Sequence, residues 1–122
     1  MASSSHRLAI DDDQLILNLV VRALGGLDYQ VSTATTAEIG LALLEQNTFD
    51  LIILDLVMPG MGGMHFLDRL PPDSEPPIIV MSGDSDISRK LETFDRGAVD
   101  YITKPFSTAV LVARIEAKLR RA

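Results

Sequence analysis

Cysteine is absent from the 122 residues, which excludes a disulfide framework and any metal centre built on thiolates. No apolar run approaches the roughly 18 residues needed to cross a bilayer. The opening MASSSHR holds no hydrophobic segment of signal-peptide kind. A reducing, cytoplasmic setting away from the membrane is the resulting expectation. Positive charge is scarce over most of the chain: residues 1–87 carry three basic side chains against thirteen acidic ones, and the balance reverses only in residues 88–122, with eight against four. The net charge of −6 speaks against direct nucleic-acid binding, which calls for a basic surface. There is no Walker loop, no internal repeat and no low-complexity segment, and GMGG at 60–63 does not follow a dinucleotide fingerprint.

What is present fits one globular domain over residues 1–122, with residues 1–6 as a flexible tail. Strands are expected at Leu8–Ile10, Tyr29–Thr33, Asp50–Leu56, Ile78–Ser82 and Val99–Thr103. The runs LIIL and IIVM are continuous rather than alternating, as in strands covered on both faces. Helical spacing fills the intervals. Ile16, Leu19, Val20, Ala23 and Leu24 form the first stripe, closed by Gly25 and Gly26. Thr35 and Glu38 make a capping-box pattern ahead of Ile39, Ala42 and Leu43. A short third helix, Met64–Leu70, stops at Pro71 and Pro72. Ile87, Leu91, Phe94 and Ala98 mark the fourth. Ser107 caps the fifth, where Leu111, Ile115 and Leu119 share a stripe. Five β-then-α units imply a parallel sheet between helical layers, a three-layer α/β/α sandwich; if its strand order is 2-1-3-4-5, the ends of the first and third strands are neighbours.

Such sheets bind ligands at the carboxyl ends of their strands, beside the point where strand order reverses. There the chain concentrates acid. Asp11, Asp12 and Asp13 follow the first strand and Asp55 ends the third. Two carboxylates ~5 Å apart at an effective dielectric near 20 repel by about 3 kcal/mol, enough to raise one pKa by roughly two units. Either one group stays protonated or a cation sits between them. An oxygen-only site with few ligands suits Mg²⁺, with Mn²⁺ as a substitute. Asp13 is read as a helix cap, and Asp11, Asp12 and Asp55 as the metal site. Ser82 and Lys104 end the fourth and fifth strands, a hydroxyl and an ammonium suited to phosphate oxygens.

With these residues in view, the chain resembles a response-regulator receiver domain of the chemotaxis-regulator kind, the phosphoacceptor module of two-component signalling. The resemblance runs from Arg7 to Leu119 and rests on the acidic run, DLIILDLVMPGMGG, VMSG and GAVDYITKPF. It implies a flavodoxin-like fold and a signalling switch, not an enzyme in its own right, that assists its own phosphorylation and dephosphorylation. Asp55 would take a phosphoryl group from a phosphohistidine on a sensor kinase or phosphotransfer protein. Asp12, Asp55 and the backbone carbonyl of Val57 would ligate Mg²⁺, with Asp11 acting through water. Lys104 would hold the phosphoryl group, and Ser82 and Tyr101 would switch. A cis Lys104–Pro105 bond is also implied. The surface of helix four, strand five and helix five, with Arg89, Lys90, Arg96, Arg114 and Lys118, would then meet a downstream effector or a fused output domain. Dimerisation through helices four and five stays open, as does whether the chain is a diffusible regulator or part of a longer protein.

The match has departures. Serine stands at 82 where the family often has threonine, and Gly62 replaces a common aspartate cap. The step from Asp55 to Ser82 is shorter than in many relatives, and Asp84 adds a charge two residues past Ser82. His6 and His65 are read as non-catalytic. Two rivals remain: a receiver-like interaction domain that does not use phosphate, and a haloacid-dehalogenase-type phosphatase. The phosphatase needs a later acidic motif at a strand end, and only Glu116, inside a helix, is present.

Overall fold

The computed structural model describes residues 5–24, 29–58, 62–70, 76–83 and 87–120. The elements alternate strictly: β1 (Ser5–Ile10), α1 (Gln14–Leu24), β2 (Tyr29–Ala34), α2 (Ala37–Gln46), β3 (Leu51–Asp55), α3 (Gly63–Arg69), β4 (Ile78–Ser82), α4 (Ile87–Asp95), β5 (Asp100–Thr103) and α5 (Thr108–Arg120). The five strands form one parallel sheet of order β2-β1-β3-β4-β5, the expected flavodoxin-like arrangement. Among the described residues no helix is long and apolar enough to cross a membrane.

The continuous apolar strands are sandwiched as their sequence requires. Every residue of β3 and β4 is buried. On one face Ala9, Leu51, Ile53, Ile79, Met81 and Ile102 pack against Leu17, Val20 and Leu24 of α1 and Leu111 and Ile115 of α5. On the other, Leu8, Ile10, Ile52, Leu54, Ile78 and Val80 meet Ala37 of α2 and Phe66 and Leu67 of α3. Burying each such side chain contributes roughly 1.5–3 kcal/mol.

Several local expectations shift. The tail expected over residues 1–6 is already strand at Ser5 and His6. His6 donates its N–H to the Asp50 carboxylate at 2.8 Å and accepts from the Asp50 N–H at 2.7 Å. The inward stripe of α1 is Leu17, Val20 and Leu24, whereas Leu19 is 39% exposed. In α2 the N-cap is Thr36, not Thr35, with its hydroxyl accepting from the Ile39 N–H at 3.1 Å. Ile39 faces outward, and Gly40 lies against Ile10 and Phe66, where an added Cβ would force the Ile10 side chain to shift. Gly25, Gly26, Pro71, Pro72 and the side chain of Leu119 lie outside the described residues.

The largest departure is α4. Three of its four apolar marker residues face water, Ile87 at 72%, Leu91 at 59% and Phe94 at 42% exposed, while Ala98, past the end of the helix, is buried. Thr93 is the helix's buried residue. At 3.6 residues per turn Arg89, Thr93 and Arg96 share a face opposite Ile87, Leu91 and Phe94. On that polar side Thr93 is buried while Arg89 and Arg96 stay exposed, Arg96 reaching Asp68 of α3 at 2.8 Å. Tyr101 and Ala98 fill the core in this region.

Candidate functional site

Because β1 and β3 are neighbours, Asp11, one residue past β1, and Asp55, the last of β3, meet at the carboxyl edge of the sheet. One carboxylate oxygen from each of Asp11, Asp12 and Asp55 lies within 4.8 Å of the other two. Asp11 is fully buried, Asp55 is nearly so, and Asp12 is exposed. Asp13 stands apart as a cap, its carboxylate accepting the Leu15 N–H at 2.9 Å.

Lys104, just past β5, reaches into this acidic edge. Its ammonium donates to Asp11 Oδ2 at 2.7 Å and lies 3.4 Å from Asp55 Oδ1. Asp11 Oδ1 in turn accepts the Asp13 N–H at 2.9 Å, so both oxygens of Asp11 are engaged within the protein. The backbone holds Lys104 in place: its N–H donates to the Ser82 carbonyl at 2.7 Å, and the Lys104–Pro105 bond is cis. The fully buried Ser82 therefore sits beside the ammonium-bearing residue in the β4–β5 ladder.

Burial, and then the charge of Asp11, push the Asp55 carboxyl up to about 6, against the opposing pull of Lys104 and the Val57 N–H. Carboxylate repulsion is thus present as expected, but loss of solvation outweighs it. Burial disfavours the Lys104 ammonium, yet the hydrogen bond to Asp11 and the charges of Asp55 and Asp11 prevail and hold its pKa above the ordinary lysine value.

The upward shift of Asp55 fixes a sign. Between its unfolded value near 3.8 and its folded value of about 6, the native state binds the extra proton, so stability falls as pH rises through this window. Without divalent metal, the penalty is absent below the window and complete above it, at up to about 3 kcal/mol. Urea unfolding in chelator at pH 4 and pH 7 checks this, with Asp55→Asn as the reference that cancels other titrations. Equal pH dependence in the two proteins would contradict it.

Tyr101 points inward, 6% exposed, within the core cluster on the α2–α3 face. The Lys90 ammonium lies 5.4 Å from its ring centroid. Lys90, Tyr101, Pro105, Phe106 and Arg114 border a surface pocket of about 340 Å³ between α4, β5 and α5. The basic residues expected on one surface therefore divide. Lys90 and Arg114 line this pocket, the latter bonded to Asp100 at 2.7 Å. Arg96 turns to α3. Arg89 borders a separate cavity of about 240 Å³ with Leu56, Val57, Met58, Met64 and Ser82. The signal for that split was in the sequence, in the helical spacing of Arg89, Thr93 and Arg96. His6 is spent at the far end of the sheet, bonded to Ser32 at 2.8 Å and set against Phe49. His65 is exposed, and Asp84 lies outside the described residues.

A buried acidic pair, an ammonium bridging it and a hydroxyl on the adjoining strand are joined in one edge of a 2-1-3-4-5 sheet. The model of the response regulator receiver domain matches residues 8–116. This chain belongs to that family. It is 37% identical over 114 residues to the regulatory protein VanRB of Enterococcus faecalis, covering 93% of this chain and 52% of that protein. It is 36% identical over 121 residues to the transcriptional regulatory protein CseB of Streptomyces avermitilis, covering 99% and 52%. Among solved structures, a CheY-like receiver domain from Methanospirillum hungatei aligns with a TM-score of 0.89 at 31% identity, covering 98% of this chain and 96% of that one. The receiver chain spans about half the length of these curated relatives. As a two-component receiver domain it is a signalling module, and the phosphatase reading falls away.

Proposed function

We propose that Asp55 is the phosphoacceptor of this receiver and that Asp11, Asp12 and Asp55 hold a divalent cation, Mg²⁺ or Mn²⁺, beside it. The observation that carries this is the near-complete burial of Asp55 within 3.4 Å of the Lys104 ammonium, in an acidic cluster with more negative charge than one ammonium offsets. The donor set fits a hard cation. Ligand oxygens on one Mg²⁺ lie up to roughly 4 Å apart, and those here are within 4.8 Å. With both Asp11 oxygens engaged, Asp12, Asp55 and the Val57 carbonyl are the direct ligands and Asp11 acts through water. The ion offsets repulsion between an anionic nucleophile and an anionic donor.

The residues of the chain divide the remaining work. An Asp55 carboxylate oxygen forms the new P–O bond as the P–N bond of a partner's phosphohistidine breaks, leaving the electron pair on the imidazole. Lys104, with its ammonium 3.4 Å from Asp55, meets an equatorial phosphoryl oxygen, and the Ser82 hydroxyl hydrogen-bonds another. Ser82 ends the β4–β5 ladder, paired with Thr103, and its carbonyl accepts the Lys104 N–H, so a displacement of Ser82 is passed to β5 and Tyr101. The surface of α4, β5 and α5 then changes towards an effector or an output domain. The donor is a sensor histidine kinase or a phosphotransfer protein, and the setting is cytoplasmic.

Intact-mass measurement after incubation with acetyl phosphate tests the assignment. One added phosphoryl group is expected with Mg²⁺, and none in chelator or in Asp55→Asn. No adduct, together with no binding of beryllofluoride, would leave the phosphate-independent interaction domain as the reading.

A further inference from the structure

Charge at the site does not balance after phosphorylation. Asp11, Asp12 and Asp55 against Lys104 leave two negative charges, which a divalent ion cancels. Conversion of the Asp55 carboxylate into an acyl phosphate dianion adds one more, on a residue that is itself only 4% exposed. Ser82 can donate a hydrogen bond there but carries no charge.

Arg89 is the cation placed to answer it. It lies in the first turn of α4 and borders the 240 Å³ cavity together with Ser82 and Val57. Val57 is the residue whose N–H bonds to the Asp55 carboxylate. A guanidinium presents paired donors that match phosphate oxygens. The helix that carries it is also easily moved, because Ile87, Leu91 and Phe94 are exposed and Thr93 is its buried side chain. Shifting α4 towards the site breaks few apolar contacts.

We propose that Arg89 is a second phosphoryl-binding cation: when Asp55 is phosphorylated, its guanidinium crosses the cavity to the phosphoryl group and draws the start of α4 with it. The proposal rests on Asp55 as phosphoacceptor and adds how that event is passed to α4.

The test is titration of the full chain with beryllofluoride in saturating Mg²⁺, followed by fluorine NMR, in wild type, Arg89→Ala and Arg89→Lys. Arg89→Ala is expected to weaken beryllofluoride binding about tenfold, the size of one screened charge pair. Mg²⁺ binding, titrated separately, stays within about twofold because Arg89 is not a ligand. Arg89→Lys, which keeps the charge, recovers most of the loss. Equal beryllofluoride affinity in wild type and Arg89→Ala overturns the proposal, as does an equal loss of Mg²⁺ and beryllofluoride binding or a lysine variant no better than alanine. Wild type that binds no beryllofluoride defeats the phosphoacceptor reading itself, a result distinct from these.

Discussion

Asp55→Asn is expected to lose all phosphoryl uptake and yet to be the more stable protein in the absence of metal. At neutral pH the wild-type carboxylate is ionised although burial and Asp11 hold its pKa at about 6. The native state carries that penalty and the unfolded chain does not. Asparagine fills the same volume, can still accept from Lys104 and the Val57 N–H, and removes the charge. A gain of about 2–3 kcal/mol follows from the size of the shift, or an increase in melting temperature of roughly 5–10 °C for a domain of this size. Magnesium should narrow the gap, since a ligand that binds only the native state stabilises wild type and finds a poorer site in the variant. Thermal melts at pH 7.5 in chelator and in 10 mM Mg²⁺ decide the matter. A variant no more stable than wild type in chelator would mean that Lys104 neutralises Asp55 fully, and the charge balance drawn above would be wrong.

Gly63→Ala is expected to be the most damaging small substitution in the chain. Gly63 opens α3 and is buried against the end of β3, with its N–H donating to the Leu56 carbonyl at 2.9 Å. A Cβ there would collide with the carbonyl oxygen of Asp55 and lie 2.7 Å from the Leu56 Cα. Both are backbone and cannot rotate away, so either α3 or the loop carrying Asp55 must move. A loss of about 3 kcal/mol is expected, and weaker Mg²⁺ binding with it. Gly62 makes the contrast. It is the N-cap of α3 without a side-chain cap, and an added Cβ meets only the Leu56 carbonyl at 3.5 Å. Gly62→Asp should therefore be tolerated or gain a few tenths of a kcal/mol as a cap. Urea denaturation of the two variants side by side separates them. Equal stabilities would show that the end of β3 yields to α3 at little cost.

The fold was legible because β3 and β4 are continuous apolar runs and the helices between them are periodic. These are patterns that the parallel sandwich alone requires. The site was legible for a related reason. Asp11, Asp55, Ser82 and Lys104 each stand at a strand end, and strand order alone brings them to one edge. What periodicity does not contain is the partner of each face. In α1 and α2 it gave helices with the inward stripe turned by part of a rotation, because Leu19 and Ile39 are as apolar as the residues that are buried. In α4 it found the apolar residues but not the direction they face, and Tyr101 and Ala98 fill the core in that region instead. Thr35 and Thr36 are chemically identical, and only the extended backbone at Thr36 selects the cap. Close approaches such as Gly40 on Ile10 and Gly63 on Asp55 leave no trace in one sequence, since a glycine looks the same whether or not something touches it.

The outward stripe of α4 has a consequence for how the chain tolerates change. Ile87, Leu91 and Phe94 belong to neither core and stay 72%, 59% and 42% exposed, so glutamine or lysine at any of them would leave both cores as they are. In water such a stripe is a burden, raising the tendency to self-associate. The apolar character of these three positions is thus a property of the surface, independent of the requirements of the core.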